Sequence, residues 1–362
     1  MFVSIFRLIK INMFATQALA LCAALAGSAI AAPTKRADID TTVLQFALTL
    51  EHLENVFYKQ ALEKFSLKEF EQAGMLRVTT YLEITLRNLA GYSANYYNNL
   101  KYIAHDEEEH VKLLSRALTA AGVTPVQACT YKFPYTDVRS FITLSSVLEG
   151  VGTSAYLGGA PLITSKDYLT VAGSILVTEA LHTSMQRSAI DEVPMANPYG
   201  TPLDLTSVYT LAAMFIESCP ASNAALPFKP FPSLQVDGVT STCEEPECGK
   251  PRNDVKREEE YACAPPSAGN SVTFTAAGDV AEGSYVTFVS GLDVVSVSGR
   301  VEGKNITAEV PMQALGQTYV FVTSKSEDGK LVAADVAYGP AILEVNPPAL
   351  TVDYAESKYC QL

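Results

Sequence analysis

The sequence predicts an α+β protein of two units, a four-helix bundle followed by a small β-sandwich. Apolar residues keep a helical spacing between about residues 38 and 220. After Ser271 the spacing changes to period two, and glycines recur at intervals typical of short strands. A chain of 362 residues is also long enough for two globular units. We therefore assign residues 37–220 to the bundle, 221–268 to a Pro/Cys-rich connector, 269–346 to the β-sandwich and 347–362 to a C-terminal tail.

Four long helices are predicted in the first half. One helix carries a single-faced stripe consisting of Leu44, Leu48, Glu51, Asn55, Tyr58, Leu62 and Phe65. The second spans about 91–121, and the third spans about 139–158, where Gly158, Gly159 and Pro161 end it. The fourth begins at a capping box from Thr164 to Asp167 and ends before Pro194. A shorter helix is predicted over 207–217.

The second half predicts about seven short strands, an arrangement typical of an immunoglobulin-like β-sandwich. It contains no histidine, so we interpret it as an interaction or spacer module with a cell-wall or protein partner. Asn305, in Asn305-Ile306-Thr307, is the predicted glycosylation site.

The N-terminus predicts secretion. Arg7 and Lys10 precede an uncharged, Ala-rich run that ends in Ala29-Ile30-Ala31, as in a signal peptide covering residues 1–31. A membrane anchor is the alternative, but this run is only weakly hydrophobic. The dibasic pair Lys35-Arg36 predicts a short propeptide, residues 32–36. The expected location is extracellular or in the cell wall, with no membrane contact after cleavage.

The net charge points to cations as partners. It is -13 for the full chain, and it becomes -17 when the four basic residues of the first 36 are removed. Such a surface repels nucleic acid and anionic membranes. Charge alone therefore disfavours a nucleic-acid partner.

Cysteine usage agrees with an oxidising compartment. Cys22 lies in the signal peptide, which leaves an even six that predict three disulfides in one of 15 pairings: Cys129, Cys219, Cys243, Cys248, Cys263 and Cys360. A second interpretation makes Cys243 and Cys248 metal ligands, although no histidine lies near them.

Two carboxylates stand where a charge is costly. Glu149 is the only charged residue from Ser140 to Ser165, and Glu179 is the only one from Tyr168 to Gln186. A helix that is apolar nearly all round is expected to be buried. An unpaired carboxylate there costs several kcal/mol unless a proton, an opposite charge or a metal neutralises it.

Histidines identify the metal as the neutralising group. Glu107 and His110, and likewise Glu179 and His182, are three residues apart and share a helix face. Carboxylate and imidazole are ligands for iron, manganese or zinc. Taken alone, a Glu-x-x-His motif is a weak signal, and residues 106–109 would otherwise form a solvated face.

An internal repeat completes the ligand set. Leu50-Glu51 is followed seven residues later by Tyr58, and Leu148-Glu149 is followed likewise by Tyr156. The resulting order, Glu then Glu-x-x-His, twice, is that of two-metal carboxylate bundles. We predict two iron or manganese ions, with Glu107 and Glu179 bridging or terminal, and Glu51 and Glu149 terminal. His110 and His182 would then serve one metal each.

Several nearby residues keep alternative interpretations. Glu54 competes with Glu51, but the repeat favours Glu51 because Glu54 aligns with Gly152. Tyr58 and Tyr156 are interpreted as core rings whose hydroxyls bond ligand carboxylates, and a redox role is the alternative. Gly150 and Gly152 indicate tight helix packing or an opening beside the metals.

These residues also carry a family resemblance. The chain resembles the secreted ferritin-like domain proteins of fungi, which are of the stress-response type and related to plant desiccation-related proteins. The similarity covers about residues 38–235, and the segments that carry it are 47–54 with Phe57-Tyr58, 106–111, 148–150 with Tyr156, 179–182, and 215–220 with Asn223. The resemblance implies a metal-binding fold and a stress setting, but no substrate.

Three functional hypotheses follow. The first is a di-iron or di-manganese protein that reacts with oxygen or peroxide as an oxidase, ferroxidase or catalase-like oxidoreductase, with no catalytic residue assigned beyond the ligands. The second is a non-catalytic stress protein that binds metals or partners. The third is an iron-storage cage, whose subunit packing would have to accommodate the connector and the β module.

Overall fold

A computed structural model describes residues 34–73, 92–240 and 265–349. These residues divide into two compact units. The helical unit contains the described residues up to 194 together with 202–230, and the β unit contains 195–201 and the described residues from 231 onwards. Within the described ranges, no helix combines the length and the apolar character that a membrane crossing requires.

Four long helices build the helical unit: α1 (Thr34–Lys64), α3 (Ala94–Ala120), α4 (Val138–Gly159) and α5 (Lys166–Ala189). Two shorter helices, α2 (Leu67–Ala73) and α6 (Leu205–Ala213), and the strands β1 (Thr130–Tyr131) and β2 (Ile216–Ser218) complete it. Helix α1 packs along α3, helix α4 packs along α5, and α1 also contacts α4. The region therefore has the helical character that the sequence predicts.

Side-chain caps fix where these helices begin. Ser93 accepts the Tyr96 N–H at 3.1 Å at the start of α3, and Asp137 with Ser140 forms a capping box on α4. Ser165 caps α5 by accepting the Tyr168 N–H at 3.3 Å. The predicted capping box from Thr164 is wrong by one residue. The Thr164 hydroxyl instead donates to Asp40 of α1 at 2.9 Å, which ties the two helices together.

The helix predicted over 207–217 is shorter in the structure. It ends at Ala213, because the chain then turns to pair β2 with β1 in an antiparallel ladder. The Phe215 carbonyl accepts the Lys132 N–H at 2.9 Å, and the disulfide Cys129–Cys219 closes the same region. One disulfide of the predicted three is thus present. Cys243, Cys248, Cys263 and Cys360 lie outside the described residues, as do the predicted signal peptide and the end of the tail.

The expectation that both uncharged helices are buried all round is only half right. Helix α4 is buried or half-buried along nearly all of its length. On the outer face of α5, however, Val177 and Leu181 are 62% and 65% exposed. Helix α5 therefore buries the face that carries Glu179 and His182 and leaves an uncharged face uncovered.

Two four-stranded antiparallel sheets form the β unit. One sheet has the order β3 (Leu234–Thr240), β4 (Ser271–Ala276), β8 (Asn305–Glu309) and β7 (Arg300–Glu302). The other has the order β10 (Val336–Val345), β9 (Gly316–Thr323), β5 (Tyr285–Ser290) and β6 (Asp293–Ser298). Apolar residues from both sheets, such as Phe274, Phe288 and Val320, join in one core. The strands are separated at glycines, and buried and less buried residues alternate along strands such as β4, as the sequence predicts.

Strand β3 lies inside the segment predicted as an irregular connector. The residues Leu234-Gln235-Val236 alternate in the way a strand requires, and β3 pairs along β4 through partners such as Val236 and Phe274. The prolines that precede β3 suggested an irregular segment throughout. The strands of the β unit thus begin at Leu234, whereas the sequence placed the start of the β-sandwich at 269.

Candidate metal centre

All six predicted ligand residues meet inside the helical unit. They form two groups of four, and both groups contain Glu107 and Glu179. The first group adds Glu51 and His110, and the second adds Glu149 and His182. Within each group, one ligand atom from each residue lies within 4.8 Å of the others. Because each of the four long helices contributes at least one of these residues, the cluster depends on the assembly of the whole unit.

In the first group the carboxylates surround His110. Its Nδ1 atom lies 3.1 Å from Glu51 Oε2, 3.4 Å from Glu107 Oε2 and 3.3 Å from Glu179 Oε1. The Glu107 contact follows from their i,i+3 spacing on α3. One imidazole nitrogen therefore faces three carboxylate groups at once.

The second group repeats this arrangement around His182. Its Nδ1 atom lies 3.0 Å from Glu107 Oε1 and 3.4 Å from Glu149 Oε2. Each oxygen of Glu107 thus faces a different histidine. The two imidazole rings are 6.4 Å apart between centroids. Glu107 occupies the position expected of a carboxylate shared by two sites.

Burial leaves several of these atoms without hydrogen bonds. All four ligand glutamates are fully buried, and His110 and His182 are 8% and 5% exposed. Among the described residues, the buried polar atoms without a hydrogen-bond partner include both oxygens of Glu107 and of Glu179, Glu149 Oε2 and His182 Nδ1. Buried polar atoms are normally satisfied. These oxygen and nitrogen atoms carry lone pairs, point at one another and lack hydrogen-bond donors. Such an arrangement fits a bound cation.

Burial and mutual charge strongly shift the pKa values of the groups in the cluster. Burial, followed by the charge of neighbouring Glu107, raises the pKa of Glu179 well above its ordinary value. Burial likewise raises the pKa of Glu107 to about 7. Burial alone would lower the pKa of His110, but the charge of Glu51 and the other carboxylates raises it far above the usual range. Without metal, the cluster therefore retains protons that a bound cation would displace.

Two tyrosines link the helices reciprocally. Tyr58 of α1 donates a hydrogen bond to Glu149 of α4, and Tyr156 of α4 donates one to Glu51 of α1. Burial and the adjacent carboxylate raise both tyrosine pKa values well above 10.0, so the hydroxyls stay protonated as donors. Both tyrosines thus make the contact predicted for them, each with the Glu of the opposite repeat.

Glu54 is buried beside the cluster, but it belongs to neither group of four. Burial and the charge of Glu179 raise its pKa well above the ordinary value. A Cβ on Gly152 would lie 2.7 Å from Glu179 Oε2 and 2.8 Å from Glu54 Oε1. Gly152 therefore leaves room for two carboxylates. Of the two explanations offered for this glycine, the geometry favours close packing, because side chains fill the place of the missing Cβ.

Sequence reasoning missed the residues that support the cluster from neighbouring helices. Asp106 Oδ2 lies 3.3 Å from His182 Nε2, on the side of the ring away from the carboxylates. Gln186 Nε2 donates to the Tyr58 hydroxyl at 3.2 Å, and Ser145 Oγ lies 2.7 Å from the same hydroxyl. Asp106 was visible as the residue before Glu107, whereas the other contacts join helices and leave no local pattern.

The two remaining histidines lie outside the groups of ligands. His52 Nε2 lies 3.0 Å from the Val126 carbonyl oxygen, and burial lowers the His52 pKa. His105 is exposed, with Nδ1 3.5 Å from Asp106 Oδ1. Neither histidine therefore belongs to the proposed ligand set, as their sequence positions outside the two Glu-x-x-His motifs suggest.

Comparisons with known proteins point to the same region. Residues 39–192 match the family model described as "Ferritin-like domain". The chain is also 27% identical over 199 residues to Protein rds1 of Schizosaccharomyces pombe, an alignment that covers 55% of this chain and 44% of the relative. The chain thus spans less than half the length of that relative. The family match confirms the ferritin-like part of the resemblance seen in the sequence.

Proposed function

We propose that the buried cluster binds two metal ions, iron or manganese, because residues 39–192 match the model of the ferritin-like domain. The observation that carries this proposal is the pair of overlapping four-residue groups that share Glu107 and Glu179. Two Glu-x-x-His motifs and two further glutamates are the ligand set of two-metal bundles. We also assign the four long helices to such a four-helix bundle.

Each residue then has a defined part in metal binding. Glu107 and Glu179 would contact both ions, Glu51 with His110 would hold one ion, and Glu149 with His182 would hold the other. Asp106 would orient the His182 ring, and Tyr58 and Tyr156 would orient the terminal glutamates. Such partners commonly change metal affinity or activity 10–100-fold when they are removed.

The proposed chemistry is a reaction with oxygen or peroxide. When bound, a pair of ions that each change oxidation state by one would supply or take up two electrons, and carboxylate-rich ligands suit their higher states. The protein contributes a water-poor interior, fixed ligands and two protonated tyrosine hydroxyls beside the terminal carboxylates. An oxidase, ferroxidase or catalase-like activity is compatible with this arrangement.

We also propose secretion and a stress setting. The leader-like N-terminus supports secretion, and so does the disulfide Cys129–Cys219, because disulfides persist in oxidising compartments. The stress setting rests on the sequence resemblance alone.

The β unit is proposed to be an immunoglobulin-like interaction module. Its strand orders, β3-β4-β8-β7 and β10-β9-β5-β6, correspond to the ABED and GFC sheets of that fold with one added strand. Asn305, at the start of β8, is the proposed glycosylation site, and its Oδ1 atom accepts a hydrogen bond from Thr275 at 2.9 Å. The partner is proposed to be a cell-wall or protein surface.

Metal content tests the central proposal. We expect about two iron or manganese ions per full-length chain purified without chelators, and one or fewer in Glu179→Gln and Glu149→Gln, which keep the side-chain shape but lose an anionic ligand. Glu54→Gln is the matched control, since Glu54 is also buried but lies outside both groups. Unchanged metal in both ligand variants would overturn the site.

Turnover separates the two leading hypotheses. The loaded protein should consume oxygen or peroxide over many cycles, and His182→Ala should abolish this activity. If the loaded protein reacts no faster than the same amount of free metal, the non-catalytic stress protein becomes the better account.

A further inference from the structure

A small apolar cavity lies in the interior of the helical unit beside the carboxylate cluster. Its volume is about 30 Å³. Its walls include Ala47, Leu50, Leu114, Ala155, Tyr156 and Ala172, and Tyr156 is the one wall residue with a polar side chain. A cavity needs roughly 10–15 Å³ to hold one water, but water also needs polar partners. The space therefore suits a small apolar molecule better than water.

The cavity is next to the ligands along three helices. On α1, Ala47 precedes Glu51 by one helical turn, and on α3, Leu114 follows His110 by one turn. Tyr156 connects the two regions directly, because it lines the cavity and its hydroxyl donates to Glu51. A molecule in the cavity is thus separated from a proposed terminal ligand by one aromatic side chain.

The walls also reach toward the surface of the unit. Val171, another wall residue, is half-buried, whereas Leu50 and Leu114 are buried. Oxygen is an uncharged, apolar diatomic molecule only slightly larger than water. Hydrogen peroxide donates and accepts hydrogen bonds, so burying it among these walls would leave its polar atoms unsatisfied. The chemistry of the walls therefore discriminates between the two oxidants.

We propose that this cavity is a docking site for dioxygen, which supplies the metal centre from the Tyr156 side. The proposal rests on the proposed metal-binding function and narrows it, because it makes oxygen the oxidant used by the site. Peroxide, if it reacts, would reach the cluster by another route.

The first test measures whether the cavity binds a gas in the metal-free protein. Crystals of the metal-free, full-length protein would be pressurised with krypton, an apolar atom that anomalous scattering locates. We expect a krypton peak among Ala47, Ala155 and Ala172, and its loss in Ala172→Val and Ala172→Leu, which fill the space. Ala212→Val is the matched control, because Ala212 is buried in the same unit but does not line the cavity. A wild-type protein without the peak would overturn the proposal.

The second test measures whether the cavity delivers oxygen to the metal centre. In iron- or manganese-loaded protein, Ala172→Val should raise the KM for oxygen at least about fivefold while metal content stays near two and the peroxide-driven rate is unchanged. Ala212→Val should leave the KM for oxygen unchanged. An unchanged KM in Ala172→Val and Ala172→Leu would overturn the proposal, and so would an equal loss of the peroxide reaction. Low metal in the wild type would instead overturn the proposed function, and this inference with it.

Discussion

The two units differ in the kinds of side chain that they bury. The centre of the helical unit holds five buried glutamates and two buried histidines: Glu51, Glu54, Glu107, Glu149, Glu179, His110 and His182. The core of the β unit is apolar, and buried hydroxyls such as Thr287 are paired, here with Thr323 at 2.8 Å. The β unit therefore satisfies its interior with its own atoms, whereas the helical unit leaves ligand oxygens unsatisfied.

This contrast separates a structural core from a functional one. Each buried charge destabilises a fold unless it is neutralised, so the buried carboxylates of the helical unit fit a bound cation better than a role in folding. No such partner is needed for the paired threonines. The difference predicts that metal removal affects only one of the units.

The largest expected effect is therefore a selective loss of stability on metal removal. Ligand at about 1,000 times its Kd stabilises a fold by about 4 kcal/mol. Amide hydrogen exchange, with and without chelator, should show lower protection in α1, α3, α4 and α5 and unchanged protection in β4, β5 and β9. Equal changes in both units would contradict the contrast.

A smaller effect is expected where backbones approach closely. A Cβ on Gly158 would lie 1.9 Å from the Leu203 backbone oxygen, so Gly158→Ala should destabilise the helical unit by about 3 kcal/mol. In the β unit, a Cβ on Gly299 would meet the end of the Ile306 side chain, which can move, so Gly299→Ala should cost less. Denaturant unfolding of each variant measures this.

Gly173→Ala is the control for that comparison. Nothing lies within 4 Å of a Cβ at Gly173, which is in helix α5. Alanine favours a helix over glycine by about 1 kcal/mol, so this change should stabilise the unit slightly. A loss in Gly173→Ala equal to that in Gly158→Ala would show that the close approach is not the cause.

The tyrosine contacts predict a third effect. Tyr156→Phe removes the hydrogen bond to Glu51, and metal affinity should fall about 10–100-fold. Tyr135→Phe, a buried ring that packs against Phe57 and Phe141, should leave the affinity unchanged. Competition with a chelator of known affinity would measure both. Equal affinities in the two variants would remove Tyr156 from the proposed site.

The smallest effect is on pH dependence. Burial raises the pKa of Glu107 from 4.5 to about 7, so the folded, metal-free protein binds a proton that the unfolded chain has lost. The stability this provides is complete below about pH 4.5 and is lost as pH rises through 7. The Tm of metal-free protein should therefore fall by several degrees from pH 5 to pH 8.

Two comparisons sharpen this pH test. Glu107→Gln should reduce the dependence without abolishing it, because Glu54 and Glu179 also have raised pKa values. Metal-loaded protein should become more stable as pH rises, since metal binding displaces protons. A metal-free Tm that rises between pH 5 and pH 8 would contradict the assignment.

The sequence predicted which residues form the cluster because their signal is local. Glu149 and Glu179 were visible as lone charges in uncharged helices, and the repeat favoured Glu51 over Glu54. The structure brings Glu51 into a group of four and leaves Glu54 outside, as expected from the repeat. A motif within one helix turn is visible in the sequence because its geometry is fixed by the helix itself.

What the sequence missed depends on contacts between distant segments. The pairing of Thr130 with Ser218 shortened a predicted helix, and β3 became a strand because β4 lies beside it. Asp106 and Gln186 act across helices, so no periodicity marks them. Tertiary context overrides local propensity in such places.

The most direct test of the central claim is the magnetic coupling of bound metal. The full-length protein would be loaded with two equivalents of Mn(II) and examined by electron paramagnetic resonance. If Glu107 and Glu179 are shared by both ions, the spectrum should be that of an exchange-coupled pair, and Glu179→Gln should weaken or abolish the coupling. A six-line spectrum of isolated Mn(II) in the wild type, unchanged in Glu179→Gln, would contradict a shared two-metal centre.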